Sequence, residues 1–352
     1  MLIKVLDPVF QTALFSIIFL CLLLAFIRKK EGEIFFSKEV TNQLKGFAVL
    51  TIIFSHIGYF LSSDPRFLYP FSILAGVGVN LFLFLSGFGL TLSHLKSSFS
   101  PFSFYKKRLL GLFIPLWVVI TILLLADNFV LNRTYPILEI IRSFLGFYPR
   151  ADLFQNLDSP LWYFSVILFL YLIFPLVFIK KVPLLSPILV LSLSLLLLNL
   201  PLPVDPDVLN LYKLHFLAFP LGISFALAIQ YIKFKLNRIL KILIFSLAVP
   251  VFLYLSVHSG VGENHNIEQS SSLLTTLSLV VIFSLSRFNF GLFSLFGIYS
   301  YEIYLIHWPI LSRYNLFLEL PPFLMTALNL SLILFLGYTL QKIIRKTKKL
   351  LK

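Results

Sequence analysis

The sequence predicts an all-α integral membrane protein, a helical bundle with about 11 transmembrane helices. Composition is the first reason. Of the 352 residues 59% are hydrophobic, 40 are phenylalanine and only 12% are charged. At a mean hydropathy of +0.94, a water-soluble fold would lack the polar surface to cover itself. The second reason is a series of apolar stretches of membrane-crossing length, and the third is that Lys and Arg collect in alternate loops between them. The single cysteine, Cys21, sits inside an apolar run. A disulfide framework and a Cys-based zinc site are thereby excluded, and no metal is expected.

The stretches lie near 9–27, 46–62, 68–92, 109–126, 160–178, 182–200, 212–232, 239–257, 272–286, 291–311 and 320–340. Crossing the hydrocarbon takes about 20 residues at 1.5 Å rise each, so 46–62 and 272–286 must draw in flanking residues or tilt less. The first stretch follows Asp7, has no small-residue cleavage pattern and stops at Arg28-Lys29-Lys30. It reads as a retained anchor with a translocated N-terminus, not as a signal peptide. The second begins after Lys45, the fourth after Lys106-Lys107-Arg108, and Lys180-Lys181 divide the fifth from the sixth. Lys233, Lys235, Arg238 and Lys241 surround the start of the eighth, Arg287 precedes the tenth, and a basic tail follows the last.

With the N-terminus external and the C-terminus cytoplasmic, 22 of the 29 Lys and Arg residues lie inside and seven outside, whereas three acidic residues lie inside and 11 outside. Glu302 remains within a span. The formal charge of +14 is then accounted for by topology and by anionic lipid at the cytoplasmic surface, and nucleic acid is not an expected partner. The longest hydrophilic connection, about 127–159, contains apolar pieces at 137–141 and 144–148 suited to a membrane interface.

Ionisable groups at membrane depth are costly and concentrate at functional places. His56 lies eleven residues beyond Lys45, about 16 Å along a helix axis. Its imidazole suits proton exchange with a hydroxyl, and equally a hydrogen bond across a helix interface. In the next span Gly76, Gly78, Gly87 and Gly89 allow close helix approach, while Asn80 and Ser86 supply polar contacts. Three cations at the opening of the fourth span oppose the helix dipole, which hints at a compensating anion, although topology alone would also retain them. Glu302 and His307 are five residues apart and do not share an ideal helix face, so each is expected to take a different partner. His307 beside Trp308 also fits an aromatic interface belt.

Four pieces occur in order: Leu44-Lys-Gly-Phe-Ala with His56; Gly78-Val-Asn-Leu-Phe-Leu-Phe-Leu-Ser-Gly-Phe; Arg108 with Pro115 and Leu161-Trp-Tyr with Pro175; and Ser300-Tyr-Glu-Ile-Tyr-Leu-Ile-His-Trp-Pro. Together they resemble the acyltransferase-3 family of bacterial polytopic membrane O-acyltransferases over about 38–340. The resemblance implies a core of about ten spans. Residues 1–37 are then an additional helix and cytoplasmic linker, 38–341 the membrane acyltransferase domain and 342–352 a basic cytoplasmic tail.

Carried over by position, the resemblance implies His56 as the catalytic histidine, with Asn80 and Glu302 as its candidate companions. It implies Lys45 and Arg108 as basic residues at the cytosolic donor, and Trp162, Tyr163, Tyr304 and His307 as acceptor-side candidates. Two positions depart from the pattern: Asn80 stands where an acid is usual and Leu112 where a second arginine is common. Asn80 can orient a histidine but stabilises an imidazolium less than a carboxylate does.

The implied activity is transfer of an acyl group, acetyl above all, from acetyl-CoA or another acyl-CoA to a hydroxyl of a surface polysaccharide, exopolysaccharide or lipid-linked saccharide in the bacterial inner membrane. No permanently bound cofactor is implied. Membrane lipids and surface-polysaccharide biosynthesis proteins are the expected partners besides the substrates. His56 would act as general base or as acyl carrier. A proton-coupled transporter or flippase of a saccharide or lipid is the alternative. It would be expected to show an internal repeat or paired interrupted helices, and neither is evident.

Overall fold

Capping residues and runs of apolar side chains set where the helices begin and how far they run. In the computed structural model, which describes residues 2–30, 35–96, 100–151, 153, 157, 161–232, 237–260 and 264–350, the described chain is mainly helical. Seven helical stretches among the described residues are long and apolar enough to cross a membrane: Pro8–Ala25, Ala75–Lys96, Pro101–Leu131, Pro206–Tyr231, Arg238–Ser256, His265–Leu285 and Pro322–Lys348. Trp162–Val177 and Leu185–Leu198 are apolar but shorter. The structure thus shows a multi-pass membrane protein. Residues 152, 154–156 and 158–159 of the expected external connection, with Lys233, Lys235 and Lys352, lie outside the described residues.

The chain divides into two compact units, Met1–Leu85 with Lys233–Leu336, and Ser86–Ile232 with Gly337–Lys352. The first unit starts with α1 (Pro8–Ala25), where Asp7 accepts from the Phe10 N–H and Pro8 sits at the first helical position. After Phe26 the chain extends as β1 (Ile27–Lys29). α2 (Lys38–Ser55) is capped by Ser37, whose hydroxyl accepts from the Val40 N–H, and it runs into a π-helical turn, His56–Phe60. α3 (Ala75–Lys96) crosses from the first unit to the second.

The second unit continues with α4 (Pro101–Leu131), α5 (Ile137–Phe144), α6 (Trp162–Val177), α7 (Leu185–Leu198), α8 (Pro206–His215) and α9 (Ala218–Tyr231). The chain then returns to the first unit as α10 (Arg238–Ser256), α11 (His265–Leu285), β2 (Phe288–Phe290), α12 (Gly291–Ile298) and α13 (Ser300–Ser312). α14 (Pro322–Leu350) closes the chain and again divides between the units.

Four details differ from the sequence reading. The helix carrying His56 starts at Lys38, eight residues before the apolar stretch, because the Ser37 cap and not hydropathy fixes its start. The stretch 291–311 is two helices, broken at Tyr299. An antiparallel ladder pairs β1 with β2, with Ile27 opposite Phe290 and Lys29 opposite Phe288, so the all-α description needs this short exception. Finally, α4 starts at Pro101, so Lys106, Lys107 and Arg108 lie past its first turn. The dipole penalty fades within that turn, and the cations lose this reason to need an anion.

The glycines after Ala75 do not act as one seam. A Cβ on Gly78 would meet the Ala48 carbonyl oxygen at 2.6 Å and one on Gly87 would overlap the Phe219 carbonyl, whereas Gly89 faces open space.

Candidate functional site

In the first unit α2 and α12 touch backbone to backbone. A Cβ on Gly46 would overlap the carbonyl oxygen of Phe293, and one on Gly297 would overlap that of Asn42. Only glycine permits this separation. The crossing is further held by Gln43, which is buried. Its amide nitrogen donates to Asn289 Oδ1 at 3.0 Å and its oxygen accepts from the Phe290 N–H at 2.8 Å. A buried amide with both ends satisfied fixes position without leaving a desolvation cost.

Ten residues beyond Gly46 stands His56, and ten beyond Gly297 stands His307. The two imidazoles meet: His56 Nδ1 lies 2.9 Å from His307 Nε2, with the rings parallel to within 7°. His307 is fully buried and His56 nearly so. The other nitrogen of His307, Nδ1, lies 2.7 Å from the Tyr304 carbonyl oxygen and 3.2 Å from that of Ile303. Carbonyls only accept, so His307 Nδ1 carries a hydrogen and its Nε2 a lone pair in the neutral ring. His56 Nδ1–H therefore donates to His307, which leaves the lone pair of His56 on Nε2. Trp308 packs edge-on against the His56 ring at 4.9 Å between centroids and Phe60 at 5.8 Å. The ring is thus oriented by a hydrogen bond and flanked by aromatic side chains, with its lone pair on Nε2.

The π-helical turn begins at His56 itself, whose carbonyl accepts from the Leu61 N–H at 3.0 Å. Such turns widen a helix locally and recur at functional positions. The aromatic-belt reading of His307 and Trp308 gives way, since both are buried inside the protein.

Asn80 is fully buried and its amide nitrogen donates to Ser272 Oγ on α11 at 3.0 Å. Glu302 is buried in the first turn of α13, and the Tyr304 ring packs on His307. Lys45 lies half-buried on α2. The structure therefore brings His56 and His307 into direct contact, a pairing that spans 251 residues.

A family model described as an acyltransferase domain matches residues 41–341, most of the chain. The chain belongs to the acyltransferase-3 family. Comparison with curated proteins and with solved structures gave no match. The family assignment makes this protein a membrane acyltransferase, and it starts at α2, so α1 stands before the matched region.

The remaining candidates of this acyltransferase lie in the second unit. Arg108 is half-buried, its guanidinium 5.9 Å from the Phe104 ring centre, while Lys106 and Lys107 are exposed. Trp162 is buried and lies parallel to within 18° of His215 at 6.1 Å. The Tyr163 side chain hydrogen-bonds to Ser86. His215, buried against Trp162, and Ser272, the partner of Asn80, were not singled out in the sequence, where isolated polar residues in apolar runs carry no partner information.

Proposed function

We propose that this acyltransferase moves an acetyl group from acetyl-CoA to a hydroxyl of a glycan or lipid-linked saccharide, with His56 as general base. The observation that carries the reading is the hydrogen-bond chain from the α13 carbonyls through His307 to His56, which leaves His56 Nε2 as an acceptor. In the reaction Nε2 takes the acceptor's hydroxyl proton as that oxygen bonds to the thioester carbonyl carbon. The C–S bond then breaks, and the imidazolium returns the proton to the departing thiolate. His307 keeps the Nδ1–H of His56 engaged through both steps, the orienting task a carboxylate performs in other histidine-based sites. A neutral His307 orients the ring without adding a charge to a buried place.

Lys45 and Arg108 are assigned to the donor's phosphates, and Trp162, Tyr163 and Tyr304 to the acceptor. The basic ends of the spans are placed in the cytoplasm and the N-terminus outside, which puts the donor on the side where acyl-CoA is made. The test is transfer of labelled acetyl from acetyl-CoA by purified protein in vesicles to a mixed glycan and lipid-linked saccharide acceptor pool. Label appearing in an alkali-labile ester supports the reading; label from acetyl-CoA appearing only in alkali-stable amides would remove the hydroxyl acceptor.

A further inference from the structure

Between α1 and the rest of the first unit runs a groove of about 320 Å³. Phe19, Leu20 and Leu23 of α1 face Phe47 and Phe54 of α2 and Phe293 of α12 across it. Two lining residues carry hydroxyls, Ser16 and Thr51, and that of Thr51 is already bonded to the Ala48 carbonyl at 2.9 Å. So apolar a space gives water too few partners to stay. An apolar cavity of about 150 Å³ holds one benzene, so by the same ratio this groove holds roughly a dozen carbon atoms. Its wall on α2 repeats at 47, 50, 51 and 54, one helix face. His56, two residues on, points about 200° away from Phe54, so the groove is separate from the histidine pair.

One end of the groove adjoins a cationic cluster. Leu23 is five residues before Arg28, and Phe293 three after Phe290. The Phe26 carbonyl accepts from the Gly291 N–H at 2.9 Å, which joins the ends of the two walls. Immediately beyond, the ladder presents Arg28 and Lys29, both exposed. The Lys30 N–H donates to the Arg287 carbonyl at 2.9 Å and its ammonium to the Ser284 carbonyl at 2.8 Å. Partial burial first, and then the positive charge of the neighbouring Lys241, push the Lys30 pKa below its usual value. Glu39, the nearest described acid in sequence, is engaged by Ser294, and Glu31 and Glu33 lie outside the described residues.

We propose that this groove is a lipid site, holding one acyl chain of an anionic membrane phospholipid whose phosphate rests on Arg28, Lys29, Arg287 and Lys241. An apolar groove that adjoins cations at one end matches the two parts of such a lipid, and basic places between spans are suited to anionic headgroups. The site is built by α1, which the family match does not include. The lipid thereby fastens the added helix to the core.

Native mass spectrometry of the full chain in detergent tests this with dioleoyl phosphatidylglycerol, dioleoyl phosphatidylcholine and glycerol 3-phosphate. Phosphatidylglycerol adducts should exceed phosphatidylcholine adducts at least tenfold, and glycerol 3-phosphate alone should not bind. Ser16→Trp, which fills the groove, should cut the phosphatidylglycerol adducts about tenfold, and Lys29→Gln with Arg287→Gln should bring them to the phosphatidylcholine level. Should Ser16→Trp fail to fold, Leu20→Trp on the exposed rim gives a second reading. Its fluorescence should be quenched more by chain-brominated phosphatidylglycerol than by chain-brominated phosphatidylcholine. Equal binding of the two lipids, equal quenching, adducts unchanged in folded Ser16→Trp, or binding of glycerol 3-phosphate as tight as that of the lipid would overturn the proposal.

Discussion

Replacing Gly46 by alanine should separate two imidazoles that each lie ten residues along the chain from the α2–α12 crossing. A Cβ at Gly46 would overlap the Phe293 oxygen, sit 2.6 Å from its carbonyl carbon and 3.0 Å from the Gly297 nitrogen. Ordinary carbon contacts need about 3.5–4.0 Å, so α2 and α12 must part by about 1 Å. Such overpacking costs about 1–3 kcal/mol. If α13 follows α12 and the π-helical turn follows α2 through the shift, the 2.9 Å separation of His56 and His307 opens to about 3.9 Å, outside hydrogen-bonding range. A displacement of that size commonly costs about 100-fold in rate. The assays are thermal unfolding in detergent and initial rates of acetyl transfer at saturating donor. Gly46→Ala protein with wild-type stability and rate would refute the claim that this contact sets the histidine geometry.

His307→Ala should reduce transfer by about 10²–10⁴-fold, the usual range for proton-transfer catalysis, because His56 Nδ1–H loses its acceptor and the ring its fixed tautomer. His307→Gln keeps an accepting oxygen and should recover part of the loss in the same rate assay; equal rates for the two variants would count against the orienting role. Gln43→Ala leaves the Phe290 N–H and the Asn289 side chain without their partner and should lower stability by about 1–3 kcal/mol, read as a fall in the unfolding midpoint. Arg108→Ala and Lys45→Ala should raise the KM for acetyl-CoA with a difference that shrinks in high salt, while Lys106→Ala and Lys107→Ala, both at exposed positions, should leave it near the wild-type value.

The membrane character was legible because burial in lipid demands long apolar runs, and those runs survive any tertiary detail. Helix ends were less legible. Hydropathy marks where lipid begins, whereas Ser37 marks where α2 begins, and the two differ by two turns. The break at Tyr299 carries no proline or glycine at the break itself, and the run 291–311 reads as continuous. His56 stood out because a histidine at membrane depth is costly. His307 stood out as well, on the acceptor side, but its pairing with His56 did not, since the Nδ1–Nε2 contact joins residues 251 positions apart and depends on a glycine crossing whose tightness no local pattern states. Likewise, Asn80 was visible as a buried amide, but its Ser272 partner could be named only once α3 and α11 were packed.

The most direct measurement of the central claim is acetyl transfer by purified His56→Ala protein, with insertion and helix content matched to wild type. Alanine can neither accept the hydroxyl proton nor return it, so the account predicts loss of transfer by at least about 10²-fold, with acetyl-CoA binding retained. Transfer at the wild-type rate, with contaminating transferases excluded, would contradict it and leave the histidine pair a packing contact between the π-helical turn after α2 and α13.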